Sequence, residues 1–84
     1  MKIQTILIAA FITLTACSSE RDVVAADVPQ TVTAAFQAKF PGAEDVEWEL
    51  EDENGRVIYE ADFKHDGKRQ EAHFSPDGTI IEED

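Results

Sequence analysis

The chain has few of the residues on which common functional motifs depend. Among its 84 residues there are one cysteine and four glycines. One cysteine cannot form an internal disulfide or a CxxC pair, and the sequence contains neither a glycine-rich phosphate loop nor an HExxH motif. These absences exclude the common redox, nucleotide-binding and zinc-hydrolase motifs, and the sequence predicts no cofactor.

Positive charge is also scarce. Seven lysine and arginine residues stand against 18 aspartates and glutamates, which gives a formal net charge of −11. A chain this acidic repels phosphate backbones, and its basic residues form no stripe that could follow a nucleic acid. We therefore expect no nucleic-acid partner. The length allows one small domain.

The first seventeen residues have the pattern of a bacterial export signal. Lys2 precedes an apolar run that ends near Leu14, shorter than the ~20 residues that span a bilayer. The run closes with Leu14-Thr15-Ala16-Cys17, which resembles a lipobox. The resemblance implies that residues 1–16 are a lipoprotein signal peptide and that Cys17 carries the lipid. The alternatives are a signal peptide followed by a free cysteine, and a short buried helix.

Residues 17–26 are interpreted as the lipidated cysteine and a short tether, because a polar stretch follows Cys17. In lipoproteins of two-membrane bacteria, a serine after the cysteine favours the outer membrane over the inner one. With Ser18 in that position, we expect a cell-envelope protein that is lipid-anchored in the outer membrane and faces the periplasm. Residues 27–84 remain for the folded domain.

The domain begins with a helix, predicted at residues 29–40. Proline is tolerated in a first helical turn, and Val32 and Phe36 recur at helical spacing. Pro41 disfavours helical geometry in the preceding residue, and Gly42 allows the chain to reverse.

After Gly42 apolar and polar residues alternate, which predicts strands. Asn54-Gly55 and Asp66-Gly67 are strong hairpin turns, and a last turn falls at residues 75–78. The predicted strands lie at residues 45–51, 57–63, 69–74 and 79–82. We therefore predict an α+β fold, with one N-terminal helix packed on one face of a four-stranded antiparallel β-meander.

A two-residue turn at Asn54-Gly55 pairs Trp48 with Ala61 and Val46 with Phe63, and the hairpin registers divide the side chains between two faces of this sheet. The helix residues Val32, Phe36 and Phe40 are expected to pack on the inward residues Trp48, Tyr59, Phe63 and Phe74. The predicted outward face is acidic and comprises Glu47, Glu49, Glu60, Asp62, Glu71 and His73. Like charges directly across strands destabilise a sheet. The cluster therefore indicates a surface for a basic partner or a cation, or else a solvated acidic face.

Two further patterns suggest a site, and neither has the residues that its chemistry requires. His73, Ser75 and Glu60 share the outward face, but an open sheet face supplies no oxyanion donors, so no catalytic residue is predicted. The acidic segment at residues 51–55 lacks the spaced ligands of a calcium loop, so no metal site is predicted.

The order of motifs resembles a known family. Lys39-Phe40-Pro41-Gly42-Ala43 is followed by Val46-Glu47-Trp48-Glu49, then by later strands with Asp-Gly turns. This succession, over about residues 28–82, resembles the PepSY-like family, also called β-lactamase-inhibitor-like. The resemblance implies a domain without agreed catalytic residues, whose relatives have been proposed to inhibit envelope proteases.

The sequence thus predicts a non-enzymatic, lipid-anchored binding domain of the bacterial cell envelope. Its open sheet face would dock or inhibit a protease or another envelope protein or peptide with a basic surface, and its contact with the membrane would be the lipid on Cys17. The alternative is an acidic cation-binding or envelope-buffering lipoprotein without a protein partner.

Overall fold

A computed structural model describes residues 18–82 of the chain. The described elements are, in chain order, strand β1 (Ser18–Val23), a 3₁₀ turn (Ala25–Asp27), helix α1 (Gln30–Lys39), and strands β2 (Glu44–Glu53), β3 (Arg56–His65), β4 (Lys68–Phe74) and β5 (Ile80–Ile81). Within this part of the chain, the five strands form one antiparallel sheet in the order β1-β2-β3-β4-β5. The α+β class and the helix-covered sheet are confirmed.

The predicted number of four strands is wrong, because Ser18–Val23 pairs with β2 along its full length, from Ser18 opposite Glu53 to Val23 opposite Trp48. The polar sequence of this segment predicts part of a tether. Only Val23 of the strand packs against the core. β1 is therefore held mainly by backbone pairing with β2. Because it buries few side chains, its sequence lacks the apolar alternation by which strands are predicted.

Helix α1 spans Gln30–Lys39, one residue shorter at each end than the predicted range, and it is not the first element, because β1 and the 3₁₀ turn precede it. The Pro29 carbonyl accepts hydrogen bonds from the amides of Val32 and Thr33, at 2.9 and 3.1 Å. At the other end, the Phe40 amide donates to the Phe36 carbonyl over 2.8 Å. Gly42 has a φ of 82°, a left-handed conformation that lets the chain turn back toward the sheet.

Two tight turns set the strand registers. Both central residues of the first turn, Asn54 and Gly55, have positive φ, at 55° and 85°, as a two-residue hairpin of the right twist requires. The Asp52 carboxylate accepts a 2.9 Å hydrogen bond from the Gly55 amide. Asp66 and Gly67 repeat these angles at 54° and 80°. The hairpin prediction is confirmed at both turns.

The predicted pairing of Trp48 with Ala61 is confirmed, but the register shifts one step further along β2. Asp45 and Val46 together lie opposite Phe63, and Asp45 has a φ of 52°. This is a β-bulge, in which one strand accommodates an extra residue. The predicted one-to-one pair of Val46 with Phe63 is therefore wrong, although Val46 still packs against the core.

The core lies between α1 and the sheet and is rich in aromatic rings. The Phe36 ring centre is 4.9 Å from that of Phe63 and 5.3 Å from that of Trp48, both edge-to-face. Trp48 is 6% exposed and Phe63 is fully buried. The predicted placement of Trp48 in the core is confirmed. The buried members of this cluster are Val28, Val32, Phe36, Trp48, Ala61, Phe63, Ala72 and Phe74.

The last turn holds the helix against the far edge of the sheet. The Thr31 hydroxyl donates a 2.7 Å hydrogen bond to the Pro76 carbonyl. Gly78 has a φ of 90°, and a Cβ atom there would lie 2.6 Å from the Thr31 carbonyl oxygen. Only glycine allows this close approach of turn and helix.

The predicted signal peptide at residues 1–16 and the predicted lipidation site at Cys17 lie outside the described residues. Within residues 18–82, no helix has the length and apolarity needed to cross a membrane.

Candidate functional site

The face of the sheet turned away from α1 is the candidate site. All six residues predicted for it lie on strand positions that alternate with the core residues: Glu47, Glu49, Glu60, Asp62, Glu71 and His73. We call this surface the acidic face. Five of these residues, all except Glu47, line a shallow depression across the middle of the sheet together with Glu20, Glu51 and Glu53.

One cross-strand row runs through the centre of the acidic face. Glu49, Glu60 and His73 lie directly opposite one another on β2, β3 and β4. The Nε2 atom of His73 is 3.7 Å from Oε1 of Glu60. Their side chains are 15% and 12% exposed, which is low for charged groups on an open sheet face. Two side chains of this row are therefore largely buried although the face is open.

A second row contains Glu47, Asp62 and Glu71. Arg69, which sequence reasoning missed, places its guanidinium over this row and donates from Nε and Nη2 to Oδ1 of Asp62, at 3.1 and 2.6 Å. The contact could have been predicted from the sequence, because the predicted register makes Arg69 and Asp62 diagonal neighbours. Part of the predicted repulsion in this row is therefore compensated.

The third row was also missed, because it depends on β1. Glu20 of β1 lies opposite Glu51 of β2, and Glu51 lies opposite Ile58 of β3. Ile58 is only 2% exposed, although its position puts it on the acidic face and outside the core cluster. The carboxylates of this row therefore lie beside a buried apolar side chain.

Crowding of carboxylates raises the pKa of Glu60 from its ordinary value of 4.5 to about 8. The largest cause is a side-chain hydrogen bond with Glu51, followed by burial and by the charges of Glu71, Glu51 and Glu49. Two carboxyl groups this close are stable when one of them keeps its proton. The protonated carboxyl of Glu60 then donates to the Glu51 carboxylate.

The neighbouring Glu49 responds in the same way. Burial raises its pKa, and the charges of Glu20, Asp22 and Glu51 raise it further. Acidic residues of four strands, β1 to β4, therefore contribute to one negative field in the centre of the acidic face.

Two groups of side chains bring their oxygen or nitrogen atoms within 4.8 Å of one another. One group is Glu51, Glu60 and His73, and the other is Glu20, Glu49 and Glu51. Chemically, such an arrangement can bind a cation or a basic side chain.

A helix-covered antiparallel sheet with an open, charged face defines a small α+β domain. The PepSY family model, described as the peptidase propeptide and YPEB domain, matches residues 29–82. The chain belongs to this family. PepSY domains are generally non-catalytic propeptide or inhibitor modules. No curated protein and no solved structure matches the chain.

Proposed function

We propose that this protein is a lipid-anchored, non-catalytic binding domain of the bacterial cell envelope. Its acidic face docks a basic surface of a protease or another envelope protein and can act as an inhibitor of that partner. The observation that carries the proposal is the row of directly opposed, half-buried side chains Glu49, Glu60 and His73, with Glu51 beside it.

Opposed carboxylates make the isolated sheet less stable, since like charges directly across strands repel. A basic partner surface would remove this repulsion on binding. Complementary charge also speeds association and selects against acidic partners. The acidic face is thus suited to recognition.

The two faces of the sheet also differ in whether a partner protein can reach them. Helix α1 covers the inward face with Val32 and Phe36, both of which are buried. The acidic face has no covering element among residues 18–82. The role of PepSY domains as propeptide or inhibitor modules supports a protein partner, and the lipobox-like sequence before Ser18 supports export and anchoring.

Crosslinking the anchored protein in envelopes, followed by affinity capture, tests the proposal. We expect one partner to be enriched by the wild type and lost with the double variant Glu49→Gln/Glu60→Gln. Asp27→Asn, which removes an exposed charge from the 3₁₀ turn, is the control and should keep the partner. Enrichment that is unchanged in the double variant would overturn docking through the acidic face.

The second candidate function is an acidic cation-binding lipoprotein without a protein partner. The observation that favours it is the convergence of Glu51, Glu60 and His73. Loss of all specific capture, together with measurable cation binding, would favour this function over docking.

A further inference from the structure

We infer that Glu51, Glu60 and His73 form a binding site for a divalent transition-metal ion of the zinc type. This inference does not depend on docking; it rests on the cation-binding candidate function and specifies the class of ion at the same three residues. The sequence predicted no metal site, because these ligands come from three strands and have no motif spacing along the chain.

The geometry is close to what such an ion requires. The three ligand atoms lie within 4.8 Å of one another, and the Nε2 atom of His73 is 3.7 Å from Oε1 of Glu60. Around a tetrahedral zinc ion with ligand distances of about 2.1 Å, ligand atoms are about 3.4 Å apart. Small side-chain rotations would therefore complete the site without moving the strands.

The imidazole distinguishes this group from the all-carboxylate group of Glu20, Glu49 and Glu51. Imidazole nitrogen suits zinc, copper and nickel, whereas calcium and magnesium prefer six or more oxygen ligands. A mixed set of one nitrogen and two oxygens therefore favours a zinc-type ion.

The surroundings supply a second, independent argument. Ile58, on the same face and directly opposite Glu51, is 2% exposed. The partly buried Ile81 lies opposite His73 on β5. Apolar side chains around the ligands limit access of water and strengthen electrostatic attraction to the ion. Glu47 lies opposite Asp62, not opposite an apolar side chain, and serves as a control.

Isothermal titration calorimetry of the purified protein with zinc chloride tests the inference, with calcium chloride as the comparison ion. We expect saturable binding of one zinc ion and at least about tenfold weaker affinity for zinc in His73→Gln. His65→Gln is the matched control, because the His65 imidazole contacts the Pro41 carbonyl, 3.1 Å away, and belongs to no ligand group. Its zinc affinity should change less than about twofold.

Two variants that each remove one carboxylate distinguish a specific zinc site from general electrostatic attraction of zinc to the acidic face. Glu60→Gln should lose about tenfold or more in zinc affinity, whereas Glu47→Gln removes the same charge outside the ligand group and should lose less than about twofold. Equal losses in the two variants, or equal affinity of His73→Gln and wild type, would overturn the inference. So would absence of zinc binding.

A readout that does not depend on affinity is the nitrogen chemical shift of the two imidazole rings. Zinc should move the Nε2 resonance of His73 and leave that of His65 in place. Shifts of both rings or of neither would contradict the site. The capture experiment uses Glu49→Gln/Glu60→Gln without zinc, so failure of docking and failure of metal binding are distinguishable.

Discussion

The two faces of one sheet are built by alternate residues of the same strands and have opposite properties. Trp48 points into an aromatic core and is 6% exposed, whereas its chain neighbour Glu49 lies on the acidic face among Glu20, Asp22 and Glu51. The pleat of a strand separates them, because successive side chains point to opposite faces. Burial of the covered face stabilises the fold, whereas the open face carries carboxylates that repel one another.

This difference indicates how a small domain can contain an unfavourable surface. Repulsion between two carboxylates on the acidic face costs a few tenths of a kcal/mol up to about 1 kcal/mol per pair. Burial of the aromatic side chains stabilises the fold by more than this cost. Substitutions in the core test how much the covered face contributes to stability. Substitutions on the acidic face test how much its charges reduce stability.

The largest effect is expected from Trp48→Ala. Truncation of a buried aromatic side chain typically costs about 3 to 5 kcal/mol, which is comparable with the whole stability of a small domain. We expect the protein to unfold, as followed by circular dichroism on heating. Val24→Ala, at a side chain that is 64% exposed, is the control and should melt near the wild type. A Trp48→Ala protein that melts within a few degrees of wild type would contradict a structural role.

Gly78→Ala should have the next largest effect. It combines a φ of 90° with a Cβ only 2.6 Å from the Thr31 carbonyl oxygen, and we expect a loss of about 1 to 3 kcal/mol. Gly55→Ala is the matched control, because its φ is 85° and no atom lies within 4 Å of the added Cβ. Denaturant unfolding should show a clearly larger loss for Gly78. Equal losses would show that backbone conformation alone matters.

The acidic face should make stability depend on pH. Since the pKa of Glu60 rises from 4.5 to about 8 on folding, the folded state holds more protons than the unfolded state between these values. The contribution of Glu60 to stability should therefore be fully present below pH 4.5 and be lost as the pH rises toward 8. The groups facing Glu60 are Glu49 and Glu51 on β2, and Glu71 and His73 on β4.

Melting temperatures between pH 4.5 and 9 measure this dependence. The Glu60→Gln variant cannot ionise at this position, so its melting temperature should fall less over the same range. A variant with the same pH dependence as wild type would show that Glu60 does not keep its proton in the folded protein.

The smallest effect concerns charge reversal. Glu49→Lys should stabilise the domain by about 0.2 to 1 kcal/mol, because it places a cation opposite Glu60 and among Glu20 and Glu51. Asp62→Lys should bring no such gain, since Asp62 already accepts two hydrogen bonds from Arg69. Unfolding by urea compares the two variants. A larger gain for Asp62→Lys would show that the Arg69 contact contributes little.

Local chemistry explains which parts of the fold were predictable. The helix ends at Pro41 and Gly42, and the turns at Asn54-Gly55 and Asp66-Gly67 contain residues that adopt the required angles. A tight turn also sets the register, so the rows of the acidic face on β2, β3 and β4 followed from it. These features depend on neighbours in the chain.

The missed features depend on residues far apart in the chain. Glu20 joins the acidic face because β1 pairs with the edge of β2, and the bulge at Asp45 appears only where two strands must stay in contact. Arg69 is different, because its diagonal contact with Asp62 crosses a single hairpin and follows from the predicted register. No local periodicity encodes the pairing of β1 or the bulge.

The sequence by itself determined the helix, the turns and the division of three strands into an apolar and an acidic face, because turn chemistry and a period of two act over a few residues. Only the tertiary structure decided which carboxyl group keeps a proton and which ligands converge. Glu51, Glu60 and His73 come from three strands, and their interaction depends on distances and burial that exist only once those strands are paired.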